Sequence, residues 1–145
     1  MTQIKKTAIV PFSMAQMYEL VNDIDRYSEF LPWCDRSHIL SQEAAFLTAE
    51  VGVNVKGLKN QFTTKNTLLP PNKIELALVD GPFSSLSGCW QFEFLRDDAC
   101  KVSLELQFAF SNRLLSMTIG PIFNHIAENM VDAFCQRAQH VYKAE

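Results

Sequence analysis

The chain contains no run of about 18 apolar residues, so no membrane-crossing helix is predicted. Its opening stretch, MTQIKKTAIV, lacks the apolar core of a secretory signal, which points to an interior compartment. The four cysteines, Cys34, Cys89, Cys100 and Cys135, form no CxxC pair and have no companion histidine pair. Neither a zinc site nor a disulfide framework is therefore expected, and the thiols read as reduced packing residues. No P-loop, dinucleotide fingerprint, metal-ligand spacing or Ser-His-Asp order is present. Repeats, linkers and low-complexity segments are missing as well. Acidic residues are absent from Val51 to Lys73, where Lys56, Lys59, Lys65 and Lys73 carry four positive charges. A solvated sheet face accounts for such a segment, and so does a docking patch for phosphate.

What the sequence does contain is apolar. Of 145 residues, 48% are hydrophobic and 20% charged, which suits a globular chain with a sizeable core, read here as one domain spanning 1–145. The net charge of −3 argues against general attraction to DNA. Val10-Pro11 ends a first strand. Ser13 and Gln16 have capping-box spacing, and Met14, Met17, Leu20, Val21 and Ile24 make one helical stripe. A second short helical turn over Asp25–Phe30 runs into Phe30-Leu31-Pro32-Trp33, a large apolar cluster on an irregular connection. Such a cluster covers either an ordinary core or the mouth of a cavity.

Past Cys34 the hydrophobic period falls from 3.6 to 2.0. Leu47, Ala49, Val51, Val53 and Val55 alternate with polar residues up to a turn at Gly57, and Leu58, Phe62 and Leu68 share the face of the next strand. Pro70-Pro71-Asn72 breaks that strand, because neither proline can donate to a ladder. Ile74, Leu76 and Leu78 follow, closed by Asp80-Gly81-Pro82. Two long strands come last: Leu86, Gly88, Trp90, Phe92 and Phe94 on one face, then Val102, Leu104, Leu106, Phe108 and Phe110 across the Asp97-Asp98 turn. Short connections predict antiparallel hairpins, six or seven strands in all, with one face wet and the other in need of cover.

The C-terminus supplies the cover. Leu115, Ile119, Ile122, Phe123, Ile126, Met130, Phe134, Ala138 and Val141 form a continuous helical stripe, interrupted at its start by Gly120-Pro121. The order of elements predicts an α+β fold. One helix over a strongly twisted sheet leaves either a tight aromatic core or a tunnel between the layers. Thr64 and Asn66, which share the face of Phe62, favour the tunnel, since inward polar groups cost about 1–3 kcal/mol each without partners. They are assigned to a ligand headgroup. His125 and Glu128 lie at helical spacing near the edge of the stripe, and His38 and His140 stand alone. General acid–base chemistry needs a titratable group in the pocket, so no catalysis, no metal and no required cofactor are expected.

Four stretches, VPFSMAQMYELVNDIDRYSEFLPWC, FTTKNTL, VDGPFSSLSGCWQF and FAFSNRLLSMTIGPIFNHIAENMVDAF, occur in an order that covers essentially the whole chain. Together they resemble the family of ribosome association toxins (RatA) and coenzyme Q-binding proteins, within the polyketide cyclase-like START superfamily. The resemblance implies a START/Bet v 1-like helix-grip fold: a curved antiparallel sheet wrapped around the long C-terminal helix, with two short helices after the first strand. It implies two roles. Mitochondrial members bind ubiquinone and support respiration; the bacterial toxin branch binds the large ribosomal subunit and blocks subunit joining. Some superfamily relatives are polyketide cyclases, a remote third reading.

Carried onto this chain, the resemblance implies a tunnel lined by Phe62, Trp90, Phe92, Leu106 and Phe108 from the sheet and by Ile119, Phe123, Ile126 and Met130 from the helix. Met17, Leu20, Phe30, Leu31 and Trp33 would sit at one end. The expected ligand is ubiquinone or a related polyprenyl lipid, with burial worth about 0.8 kcal/mol per methylene. The expected setting is the bacterial cytoplasm, with transient contact to a membrane surface. Lys56, Lys59, Lys65 and Lys73 are the candidate ribosome-facing residues.

Overall fold

The computed structural model describes residues 2–142; Met1 and 143–145, the two ends of the predicted 1–145 domain, lie outside the described residues. Strand β1 (Thr2–Val10) leads into helix α1 (Met14–Asn22) and a 3₁₀ helix (Ile24–Glu29). Six strands follow: β2 (Cys34–Gln42), β3 (Phe46–Val55), β4 (Leu58–Leu69), β5 (Lys73–Asp80), β6 (Phe83–Arg96) and β7 (Ala99–Phe110). A short helix α2 (Arg113–Thr118) precedes the long α3 (Gly120–Tyr142). The strands form one sheet in the order β1-β7-β6-β5-β4-β3-β2, every neighbouring pair antiparallel. This is the predicted helix-grip architecture, at the upper of the two strand counts.

Local chemistry explains the element boundaries. The Ser13 hydroxyl accepts from the Gln16 N–H at 3.1 Å while Gln16 Oε1 accepts from the Ser13 N–H at 2.9 Å, so two orphan donors of α1 are satisfied reciprocally. The β3–β4 hairpin turns on Lys56 and Gly57 alone, with φ of +53° and +85°. Two successive positive φ values give the tight turn whose twist matches the flanking strands. At Gly88 a side chain would place its Cβ 2.2 Å from the Glu105 carbonyl oxygen and 2.7 Å from Leu106 Cδ2, so β6 and β7 can pair closely there only without one. The Gly120-Pro121 interruption separates α2 from α3, and the two meet at Ile119.

Helix α3 buries Phe123, Ile126, Ala127, Val131, Phe134 and Ala138. All of these but Ile126 join Val102, Leu104, Leu106 and Phe108 of β7 and Leu86, Trp90 and Phe92 of β6 in a single core. Two expectations fail at the ends. Phe94 is 59% exposed, because the β6–β7 hairpin overshoots the helix and is irregular between Phe94 and Arg96. Val141 is 41% exposed, where the last turn of α3 passes beyond the sheet.

Candidate ligand-binding cavity

Between α3, the 3₁₀ helix and the inner face of β3–β7 lies a cavity lined almost wholly by carbon. Ile24 and Tyr27 contribute from the 3₁₀ helix, Trp33 from the connection after it, Ala49 and Val51 from β3, and Phe62, Thr64 and Asn66 from β4. Leu76, Leu86, Trp90, Leu104 and Leu106 complete the sheet side; Phe123, Ile126, Ala127, Met130 and Phe134 form the helix side. The centre of a water-sized sphere can reach about 80 Å³ of it. That space is small, so a quinone ring or a prenyl chain requires the lining to part.

Aromatic side chains close both ends. At one, Phe83 and Phe123 lie 5.0 Å apart between centroids, with Phe62, Phe108 and Phe110 around them. At the other, Trp90 stacks on Phe92 at 6.4 Å and meets Phe134 edge-on at 5.2 Å, and Tyr18 of α1 packs on Phe92 at 5.8 Å. The side wall is thinner. Trp33 and Ile126 line the cavity and also two surface grooves. The first groove runs along α3 past Phe30, His125, Asp132, Arg137 and His140; the second lies between Pro32, the end of β3 at Asn54-Val55, and Pro121-Ile122. Trp33 and Ile126 thus form a wall that the cavity and both grooves share.

The polar content of the cavity is small and specific. Thr64 and Asn66 are 8% and 4% exposed, and the Thr64 hydroxyl donates to Asn66 Oδ1 at 2.8 Å. That bond consumes the hydroxyl proton and one amide acceptor, leaving the Asn66 amide donors for another partner. Tyr27, whose hydroxyl donates to the Val21 carbonyl, is the one titratable group among the described lining residues. Burial, reinforced by Cys34 and Asp23, pushes its phenol far above the ordinary value, so it stays neutral. His125 sits in the outer grooves and not in the cavity, and its backbone carbonyl accepts from Asn129 Nδ2 at 2.8 Å. Burial raises all four cysteine thiols, Cys100 to about 11. No cluster of three or more His, Cys, Asp or Glu residues suited to a metal occurs among the described residues.

Of the residues assigned to the tunnel, nine line the cavity: Trp33, Phe62, Thr64, Asn66, Trp90, Leu106, Phe123, Ile126 and Met130. Phe30 and Leu31 line the groove along α3 instead. Met17, Leu20, Phe92, Phe108 and Ile119 do not reach the cavity, and the reason is depth along the sheet. Phe92 and Phe108 belong to the two aromatic plugs themselves, and Met17 is fully enclosed on the buried face of α1. Ile119 is buried at the α2–α3 junction. Leu20 lines a shallow groove with Glu19 and Val141.

Several liners went unassigned. Ala49, Val51, Leu76 and Leu104 were legible from alternation, since the register places Ala49 opposite Thr64, Leu76 opposite Asn66 and Leu104 opposite Trp90. Phe134 follows Met130 by four on α3. Ile24 reads in the sequence only as the end of the α1 stripe, and Tyr27 carries no periodic signal, because a 3₁₀ turn has neither period.

The four lysines do not converge. Lys59 and Lys65 are six residues apart on β4, about 20 Å. Lys65 lies over the Phe46 ring at 4.7 Å, and Lys73, at the far end of the hairpin, pairs with Glu75 at 3.8 Å. Lys56 and Lys59 remain exposed and make no ion pair among the described residues. Among those residues no helix is long and apolar enough to cross a membrane.

Comparison with known proteins places this geometry in context. Residues 10–135 match the family described as polyketide cyclase/dehydrase and lipid transport. A protein named ribosome association toxin RatA from Pseudomonas aeruginosa is 44% identical over 97% of this chain and 98% of its own. A Xenopus laevis protein named coenzyme Q-binding protein COQ10 homolog B, mitochondrial, is 28% identical over 97% of this chain and 59% of its own. In fold, the chain superposes on the Zhui aromatase/cyclase from Streptomyces sp. R1128 with a TM-score of 0.87 at 16% identity, covering 99% of this chain and 96% of that one.

Proposed function

Since the chain belongs to the polyketide cyclase/dehydrase and lipid transport family, in its branch of RatA relatives, we propose that it is a noncatalytic binding protein for ubiquinone or a related polyprenyl lipid. The observation that carries this reading is the cavity itself, an apolar lining with a single polar pair, Thr64 and Asn66, on one wall. A quinone has the matching parts. Its carbonyls accept from amide donors, and its prenyl tail exchanges water for apolar contact at about 0.8 kcal/mol per methylene. The role is quinone handling in the bacterial cytoplasm in support of respiration, without a required cofactor. The name of the mitochondrial relative supports the same assignment. An enzymatic reading finds little support: the one titratable liner, Tyr27, already spends its proton on the Val21 carbonyl.

The names of the RatA relatives favour a second reading, association with the ribosome; in its finer form the partner is the large subunit and the effect is blocked subunit joining. Unpaired Lys56 and Lys59 are the residues available for it, Lys65 and Lys73 being engaged with Phe46 and Glu75.

One preparation tests both. Protein purified from its native host is extracted with organic solvent for mass spectrometry, and a parallel sample is sedimented with large subunits at low and high salt. Near-stoichiometric quinone supports the carrier. Lipid-free protein that sediments with subunits only at low salt supports the ribosomal reading and rejects the carrier.

A further inference from the structure

The surface around the Trp33–Ile126 wall combines exposed apolar side chains with unpaired positive charge. On α2, Leu114 and Met117 are three residues apart on one face and 70% and 69% exposed; Leu58, at the tip of the β3–β4 hairpin, is 48% exposed. A soluble protein gains nothing by displaying two large side chains on one turn of helix unless something covers them. Both elements flank the same opening. The hairpin borders the second groove through Asn54 and Val55, and α2 runs directly into the Gly120–Ile122 start of α3 that forms the facing border.

The charge of this end departs from that of the whole molecule. The protein carries −3, yet neither Val51–Phe62 nor Gln107–Ala127, segments that contribute to this end, contains a single acid. Lys56, Lys59 and Arg113 are exposed there, and none makes an ion pair among the described residues. The nearest acids by strand register are Asp35, at the start of β2, and Glu50 and Asp80, which flank Thr63 on either side; the Asp80 carboxylate accepts from the Gly81 N–H at 3.0 Å.

We infer that this end is a docking surface for an anionic phospholipid bilayer, with Leu58, Leu114 and Met117 entering the headgroup layer and Lys56, Lys59 and Arg113 facing the lipid phosphates. The occupant follows from the pairing of features. Basic residues alone suit any polyanion, including ribosomal RNA, whereas protruding aliphatic side chains without an aromatic stacking platform suit acyl chains. In the docked orientation the thin Trp33–Ile126 wall faces the membrane, so a lipid passes between bilayer and cavity without crossing water. The inference rests on the lipid-binding reading above and gives it a source of ligand.

The test is flotation with vesicles of phosphatidylcholine, with and without about 30% phosphatidylglycerol, alongside binding to purified ribosomal RNA. The wild-type protein is expected to float with the anionic vesicles and far less with the neutral ones. Each basic residue near such a surface is worth about five-fold in affinity, so Lys56→Gln/Lys59→Gln/Arg113→Gln should lose about a hundred-fold. Leu114→Ser/Met117→Ser, confined to exposed positions, should lose at least about ten-fold while keeping the wild-type melting temperature. Equal flotation of either variant and wild type overturns the inference. So does RNA binding that falls with the triple variant and ignores the double one, combined with no flotation. Quinone uptake from detergent micelles is measured on the same samples. Uptake without flotation rejects the docking surface alone, and flotation without uptake rejects the cavity reading alone.

Discussion

Thr64 and Asn66 concentrate the polarity of the cavity in two neighbouring side chains. They are hydrogen-bonded to each other, so the polar pair survives burial between apolar strands, and the unused amide donors are what a ligand carbonyl would find. Thr64→Val with Asn66→Leu removes both partners at once and leaves no orphan. Stability should hold or rise, while quinone retained through purification should fall about five- to ten-fold, the worth of one neutral hydrogen bond and part of a second. Mass spectrometry of extracts and a melting curve check the two halves; unchanged retention would remove the headgroup role. These two residues were readable from sequence because a polar group at an inward strand position breaks alternation with Phe62. Phe92 and Phe108 are equally inward yet lie outside the cavity lining. Period two reports which face a side chain occupies and not how far along the sheet it sits.

Among elements, the connection Phe30–Trp33 carries Trp33, which lines both the cavity and the outer grooves. It is clipped to α3 by Arg137, which donates to Glu29 Oε1 at 2.9 Å and lies over the Phe30 ring at 4.8 Å. Glu29 is half exposed, so solvent screening keeps the pair modest, and the ring contact adds about 0.5–1 kcal/mol. Arg137→Ala should therefore cost about 1 kcal/mol in stability and speed ligand exchange about five-fold, read by stopped-flow displacement with a short-chain quinone. An unchanged exchange rate would place the opening elsewhere. The capped α1, the hairpins and the α2–α3 break were legible because Ser13–Gln16, Gly57, Pro70-Pro71 and Gly120-Pro121 each carry local geometry. The strand β2 was not resolved in detail. It buries only Cys34 and Ser37 and shifts register twice against β3, so alternation never accumulates along it.

For the molecule as a whole, buried acids set the response to alkali. Burial raises the Cys100 thiol from 9.0 to about 11, and the Tyr27 phenol is raised as well. The folded state thus keeps protons that the unfolded chain releases. The Cys100 contribution is complete below about pH 9 and is lost as pH climbs through about 11, while that of Tyr27 persists beyond it. Urea midpoints should be lower near pH 10.5 than near pH 8, and equal midpoints would contradict the burial of these groups. The α+β architecture was legible from the order of elements and the change of period, since both are properties of whole segments. Cavity volume was not, because it depends on how deeply α3 seats against β6 and β7, a distance no pattern of residues records. The central claim, a quinone held in this cavity, has a built-in reporter: both tryptophans of the chain, Trp33 and Trp90, line it. Titration of the purified protein with ubiquinone should quench their fluorescence saturably at one equivalent, and Met130→Phe, which fills the space, should abolish the quenching with the fold intact. Quenching that rises linearly without saturation, or that the filled variant shows equally, would contradict it.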